Sequence, residues 1–114
     1  MQRIGSFSRT EDGIFEGRVL TLVVQVELKF IPNPDVEEPG SKLPDLIAFA
    51  MSNNAEIGAA WAKQEGKKPV FYTVRLDDPS WPAPLTAALF QNKMQPALYD
   101  LVWSRSPGRD GSAL

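Results

Sequence analysis

The sequence contains neither cysteine nor histidine, and these two absences exclude more chemistry than any other feature of the chain. Without them there is no zinc site of the usual Cys/His type, no Cys-His nucleophile pair and no Ser-His-Asp triad. Disulfide cross-links and haem ligation by the usual residues are excluded as well. We therefore expect no metal and no cofactor.

The chain also carries little net charge. Twelve basic and 14 acidic side chains leave a formal net charge of −2, which argues against a polybasic protein that coats duplex DNA or an anionic membrane. No segment approaches the ~18 consecutive apolar residues of a membrane span. A hydrophobic fraction of 43% with 23% charged residues is typical of a globular chain. We expect a cytoplasmic protein with no membrane partner.

The length of 114 residues suits one domain with a tail. We predict a single β-rich domain over 1–104 and a flexible tail over 105–114, where proline, glycine and charged residues replace the apolar pattern. A loop rich in proline and acidic residues over 32–44 is expected to be mobile.

The clearest periodicity is the strict alternation of apolar and polar residues from Val24 to Phe30. It predicts a strand whose inward side chains are Val24, Val26, Leu28 and Phe30. The residues just before it are also rich in β-formers, so Phe15 to Ile31 would make one very long strand. We expect a bend or bulge near Thr21 to Val23 within that strand.

Further strands are predicted over Arg3–Arg9, Val70–Leu76 and Leu98–Trp103. Alanine-rich runs over 46–51 and 56–63 fit helices by propensity, but they also fit two strands joined by a turn at 52–54, which their short lengths favour. The run 83–90 fits either a short helix or another strand. The expected fold is all-β: a small antiparallel meander sheet or barrel of six to seven strands, with room for one short helix.

Several short motifs in order resemble domain-of-unknown-function family 736. They are Ile4-Gly5-Ser6-Phe7, Asp12-Gly13, Phe15-x-Gly17-Arg18, Thr21-Leu22, Pro32-Asn33-Pro34, Glu56-Ile57-Gly58-Ala59-Ala60-Trp61, Leu76-Asp77-Asp78-Pro79-Ser80-Trp81-Pro82-Ala83-Pro84 and Leu101-Val102-Trp103-Ser104-Arg105. The resemblance runs from Ile4 to Arg105. It implies a small β-rich bacterial protein, found in proteobacteria, whose genes often lie on plasmids and integrative conjugative elements. It carries over no activity, catalytic residue or cofactor.

The chain departs from the family pattern in two places. Pro44-Asp45-Leu46-Ile47-Ala48 stands where the family has a Pro-Asp-Tyr-Arg-Val-like strand start, and Phe71-Tyr72-Thr73-Val74-Arg75 stands for the usual Tyr-Leu-Ser-Val-Lys run. Both changes keep β-forming residues.

Asp77-Asp78 is the one adjacent carboxylate pair in the sequence. Carboxylate oxygens suit a hard cation, but no ladder of further oxygen ligands follows, so we interpret the pair as a strand end whose second aspartate starts a turn. Glu65-Gly66-Lys67-Lys68 matches no phosphate-binding loop and is interpreted as a hairpin turn. We therefore predict no catalytic residue and no enzymatic activity.

The segment 61–75 combines aromatic residues with a local excess of three positive charges. Small β-barrels bind single-stranded nucleic acid with such a mixture, since each base stacked on an aromatic ring contributes roughly 1–3 kcal/mol. The candidate nucleic-acid-binding residues are Trp61, Lys63, Lys67, Lys68, Phe71 and Arg75. Burial of these rings in the core is the competing interpretation.

Trp81 lies between prolines in Pro79-Ser80-Trp81-Pro82-Ala83-Pro84. It suits a plug packed over one end of the barrel; if exposed, it becomes a protein-interface anchor, since tryptophan is enriched in binding hot spots. The acidic residues Asp35, Glu37 and Glu38 are further interface candidates. The expected function is a non-enzymatic binding module of a mobile genetic element that acts on a protein partner, as adaptor or inhibitor of host or element-encoded machinery. A single-stranded nucleic-acid-binding barrel is the alternative.

Overall fold

Eight antiparallel strands form a closed barrel in the computed structural model, which describes residues 2–36 and 42–103. The strands are β1 (Gln2–Arg9), β2 (Phe15–Leu20), β3 (Gln25–Pro32), β4 (Leu46–Ala50), β5 (Glu56–Lys63), β6 (Phe71–Leu76), β7 (Leu85–Gln91) and β8 (Leu98–Trp103). Each strand pairs with its successor, and β8 pairs with β1, so closure leaves no edge open among the described strands. The prediction of an all-β antiparallel barrel is confirmed, with eight strands in place of six to seven.

The stretch from Phe15 to Ile31 is two strands and not one. β2 ends at Leu20 and β3 begins at Gln25, and the Thr21 amide donates to the Val24 carbonyl at 2.7 Å. The Thr21 hydroxyl oxygen accepts hydrogen bonds from the Val24 amide at 2.9 Å and from the Val23 amide at 3.3 Å. Asparagine and aspartate side chains accept comparable bonds in many tight turns, and here a threonine hydroxyl does so. The prediction of a bend or bulge inside one long strand is therefore wrong.

The ambiguous middle of the chain is entirely strand. The runs 46–51 and 56–63 become β4 and β5, and 83–90 contributes β7; none of the described residues is helical. The short helix that was one of the two alternatives for 83–90 is therefore not formed; this run contributes a strand. Pairing with neighbours on both sides outweighs the helix propensity of alanine, because a helix in these positions would leave backbone groups of the adjacent strands without partners.

The barrel interior is a packed core built by alternation along each strand. Leu28 and Phe30 are fully buried and Val24 nearly so, with Val26 packed against the same cluster, which confirms the predicted inward face of β3. Aromatic rings fill much of the space: the centroid of Phe30 lies 5.3 Å from that of Phe7. Side chains of this size make the core of a small barrel dense without cross-links.

The meander places its connections at two opposite ends of the barrel. We name one the apolar end; it contains the connections 21–24, 51–55 and 77–84. The opposite end contains 10–14, 33–36, 42–45, 64–70 and 92–97. The predicted mobile loop begins there, where the Asn33 side-chain amide donates to the Pro44 carbonyl at 2.9 Å. Its residues 37–41 and the predicted tail over 105–114 lie outside the described residues.

A helix long and apolar enough to cross a membrane does not occur in residues 2–36 and 42–103.

Candidate functional site

The tip of the β2–β3 turn presents two apolar side chains to solvent. The hydrogen bonds of Thr21 hold the turn closed, and Leu22 and Val23 occupy its two central positions. Leu22 is fully exposed and Val23 is 81% exposed. Tight turns usually place small polar residues at these positions, so two aliphatic side chains there are unusual.

An apolar groove of about 350 Å³ runs beside this tip. Trp81 and Trp103 line it together with Ile4 and the segment 82–84. Trp81 is half-buried: it packs against the core cluster and also borders the open groove. The structure thus combines the two interpretations of this residue, because the indole covers the core while part of it remains accessible at the surface.

Other exposed apolar side chains extend the same end of the barrel. Leu20, at the end of β2, is 51% exposed and Met51, after β4, is 45% exposed, and both line a second concavity of about 480 Å³. They add apolar side chains to those of the turn tip and the tryptophan groove, although Arg18, Gln25 and Glu27 also line this second concavity.

Carboxylates border one side of the apolar end. The Asp77 amide donates to the Ile57 carbonyl at 2.7 Å, so Asp77 lies across from the residue that follows Glu56 at the start of β5. The Asp77 and Glu56 side chains are exposed, and Asp78 follows. On the β2–β3 side, Glu27 has a cationic neighbour, since its carboxylate lies 3.9 Å from the Arg18 guanidinium.

Asp78 organises the β6–β7 connection, as the sequence predicted. Its carboxylate accepts from the Ser80 amide at 3.0 Å and from the Ser80 hydroxyl, while its carbonyl accepts from the Trp81 amide at 2.9 Å. These bonds form an Asx-type turn that orients the tryptophan. Glu56 is an exposed charge at the start of its strand, so it lacks the burial that a general base would need.

The predicted nucleic-acid residues lie partly together at the opposite end. Lys63 is the cross-strand neighbour of Phe71. Lys67 and Lys68 lie in the β5–β6 connection, where the Lys68 amide donates to the Glu65 carbonyl at 3.1 Å; the interpretation of this segment as a turn is confirmed. These four residues share one end of the barrel.

Two of the predicted residues are placed differently. Trp61 is half-buried, and its indole N–H donates to the Lys42 carbonyl at 3.3 Å, so it holds the segment before β4 against the barrel. Arg75 lies four residues beyond Phe71 on β6, about 13 Å along the strand, next to Thr86 of β7. The structure does not bring Arg75 together with the lysines.

The residue that the sequence pattern missed is Phe90. Its ring stacks on that of Phe71, with centroids 5.0 Å apart and an interplanar angle of 19°. Both rings lie outside the barrel, since the alternate residues Tyr72 and Leu89 pack inward. The outward position of Phe90 can be predicted only once 83–90 is assigned as a strand, because the alternation of side chains along that strand then places Phe90 on the outer face.

The predicted interface residues do not form one surface. Asp35 follows β3 at the opposite end, where its amide donates to the Asn33 side-chain oxygen at 3.1 Å, whereas Trp81 lies at the apolar end. Glu37 and Glu38 lie outside the described residues. A surface that combines Trp81 with Asp35 is therefore excluded by the meander, which puts their connections at opposite ends.

The model of the family described as "Protein of unknown function (DUF736)" matches residues 3–106 of the chain. The chain belongs to this family. No curated protein and no solved structure gives a match.

The Asx turn of this DUF736 protein predicts a pH-dependent change at the apolar end. Hydrogen bonds from Ser80 lower the pKa of Asp78 below its ordinary 3.8, so the carboxylate favours the folded turn above the ordinary pKa and loses that preference as pH falls through the lowered value. We expect the Ser80 amide resonance to titrate at a lower pH than that of an ordinary aspartate. Two-dimensional NMR over an acid titration measures this shift.

The matched variant for that titration is Asp78→Asn, which keeps an acceptor oxygen but has no charge to titrate. Its Ser80 amide should show no transition in the same pH range. A wild-type midpoint at or above the ordinary aspartate value would contradict the assigned hydrogen bonds.

Proposed function

We propose that this DUF736 protein is a non-enzymatic binding module that docks onto a partner protein through its apolar end. The observation that carries the proposal is the exposure of Leu22 and Val23 at the turn tip beside the Trp81 groove. Folding gains nothing from these two side chains, because apolar groups stabilise a fold only when they leave water. Their burial against a partner would supply that gain on binding.

The groove beside the tip has the character of a binding hot spot. A tryptophan that is anchored in the core at one edge and open at the other loses little freedom on binding and buries a large area. Trp81 is held in this way by the Asp78 turn and the core cluster. The partner would insert an apolar side chain into the 350 Å³ groove while receiving Leu22 and Val23 on its own surface.

Charge defines the partner further. Glu56, Asp77 and Asp78 border the apolar end on the β5–β6 side and are exposed or half-exposed there. We therefore expect a partner surface with an apolar centre and lysine or arginine at its rim, because complementary rim charges speed association and exclude wrong partners.

The family resemblance supports a setting for this module. The resemblance implies genes that often lie on plasmids and integrative conjugative elements, so the partner in the proposal is a cytoplasmic protein of the host cell or of the element, and the module acts as its adaptor or inhibitor. These assignments of place and role belong to the proposal.

The double variant Leu22→Asp with Val23→Asp is expected to lower the amount of partner protein captured by tenfold or more, since it buries two unpaired charges in the interface. The fold should keep its stability to within about 0.5 kcal/mol, because both side chains are exposed. The measurement is quantitative mass spectrometry of proteins captured by the tagged full-length chain in its natural host, followed by calorimetric titration of the purified candidate.

The control is Met94→Asp, which adds one of the double variant's two negative charges at a side chain 90% exposed at the opposite end. A genuine partner is lost with the double variant and kept with this control. Equal loss in both variants, or no protein that distinguishes them, would refute the proposal. A purified wild-type chain that dimerises, and becomes monomeric in the double variant, would assign the apolar end to a second copy instead.

A further inference from the structure

A third concave surface lies at the opposite end of the barrel, away from the apolar end. It is a groove of about 580 Å³ between the start of β6 and the β7–β8 connection. The stacked rings of Phe71 and Phe90 form one wall, and Lys68, Val70 and Lys93 line it with them. Its volume falls within the range of small-ligand pockets, roughly 300–1,000 Å³.

We propose that this groove, the ring groove, binds single-stranded nucleic acid. The two phenyl rings project from the outer face of the barrel, and Phe90 is 37% exposed. A stacked pair of rings leaves two outer faces, and an unpaired nucleobase presents a flat face that stacks on them. Bases in a duplex are already stacked on one another, so the ring groove selects single strands.

Positive charge surrounds the rings. Lys63 is the cross-strand neighbour of Phe71, and Lys68 and Lys93 reach the groove from two different connections. All three ammonium groups are on exposed residues. They are spaced around the aromatic pair, which is the arrangement that lets phosphates track past stacked bases.

Nearby carboxylates do not cancel this charge. Glu65 lies 4.0 Å from the Lys68 ammonium, an exposed contact that a phosphate readily replaces. Asp100, across from Phe90 on β8, accepts from the Asn92 side-chain amide at 3.0 Å and lies 3.7 Å from a guanidinium nitrogen of Arg3. The charge that remains over the rings is positive, as the chemistry of a phosphate backbone requires.

Polar groups at the groove predict tolerance of base sequence. The Gln91 side-chain amide donates to the Pro96 carbonyl at 2.9 Å. The Asn92 side-chain oxygen accepts from the amides of Met94 and Gln95 at 2.8 and 2.9 Å. These side chains hold the β7–β8 connection and are not directed at a base edge, so recognition depends on ring faces and charge, with little discrimination among bases.

The test uses the full chain and a short fluorescein-labelled oligothymidylate, with binding followed by fluorescence anisotropy at low and moderate salt. For the wild type, the logarithm of the association constant should fall with the logarithm of the salt concentration with a slope of about −2, as expected for three phosphate contacts. Phe90→Ala or Phe71→Ala should weaken binding about fivefold or more. Lys68→Ala with Lys93→Ala should reduce the slope by about 1.4.

Arg75→Ala is the matched cation control, because Arg75 lies on the same strand as Phe71 but beyond the groove; it should leave the affinity unchanged. Circular dichroism verifies the fold of each variant. If Phe90→Ala does not fold, Phe90→Leu serves in its place, since leucine keeps much of the volume without an aromatic face, and it should weaken binding similarly.

Absence of binding at low salt would overturn the proposal. Binding that is insensitive to the ring variants and lost with the lysine variants would do so too, because it indicates non-specific adsorption. Duplex DNA binding as tightly as the single strand, or polyglutamate displacing the oligonucleotide at equal charge concentration, would assign the ring groove to another class of ligand. The apolar end takes no part in these outcomes, so this test and the partner-capture test fail independently.

Discussion

Phe30→Ala is expected to lower the free energy of unfolding by about 3–5 kcal/mol. Phe30 is fully buried in the barrel, faces Phe15 and Ala48 in the neighbouring strands, and packs its ring 5.3 Å from that of Phe7. Truncation removes these contacts and leaves a cavity that a closed ring of strands cannot collapse to fill. Domains of this size are stable by about 5–15 kcal/mol, so the loss is a large share of the total.

Thermal and urea denaturation followed by circular dichroism measure this effect, with a melting temperature expected to fall by roughly 15 °C or more. Phe90→Ala is the matched control, because the same atoms are removed from a ring outside the barrel. It should cost only about 1 kcal/mol, the contribution typical of an aromatic pair. Equal destabilisation by the two variants would show that the core is not where the structure places it.

Gly17→Ala should destabilise the protein by about 3 kcal/mol, although it adds a single methyl group. A Cβ atom on Gly17 would collide with the Ser6 carbonyl oxygen and come within 2.7 Å of the Phe7 ring. Neither group can retreat: the carbonyl belongs to the strand paired with β2, and the ring is fully buried. The added methyl therefore forces β1 and β2 apart.

The midpoint of urea denaturation tests this prediction. Gly66→Asn is the control, since no atom lies within 4 Å of a Cβ there and its φ of +58° is one that asparagine adopts with little strain. The control should change the stability by less than about 0.5 kcal/mol. A Gly17→Ala protein as stable as the wild type would contradict the close approach of β1 and β2.

Much of the secondary structure could be read from local patterns. The alternation from Val24 to Phe30 identified the inward face of β3 because a strand turns successive side chains to opposite faces. The strands over 46–51 and 56–63 were predicted against the helix propensity of alanine. Propensity is a weak signal when pairing partners are available on both sides, as they are for β4 and β5.

The turn at Thr21–Val24 could not be read in the same way. Its two central residues, Leu22 and Val23, are aliphatic, and aliphatic residues are not the types that predict a turn in the chain. The stabilising interaction is between the Thr21 hydroxyl and two backbone amides, and it becomes visible only with the backbone geometry. The same turn then exposes Leu22 and Val23, so the main feature of the apolar end was hidden with it.

The candidate sites likewise contain some residues that the sequence predicted and others that only the structure identified. Sequence reasoning named Trp81, Lys63, Lys68 and Phe71, because tryptophan between prolines and aromatic residues among lysines are recognisable patterns. It grouped Arg75 with them by proximity in the chain, although the length of β6 separates it from the lysines. It omitted Phe90, since the 83–90 run fitted both a helix and a strand and the outward face was therefore undefined.

The sequence by itself determined the absence of cysteine and histidine chemistry, the β character of the chain and the inward face of its clearest strand, since these depend on composition and on the two-residue period. The tertiary structure decided which outward and end residues meet. Closure of β8 on β1 brings Trp103 and Ile4 to the groove of Trp81, and the pairing of β6 with β7 stacks Phe90 on Phe71. Contacts between distant segments depend on strand order and register, which no local pattern encodes.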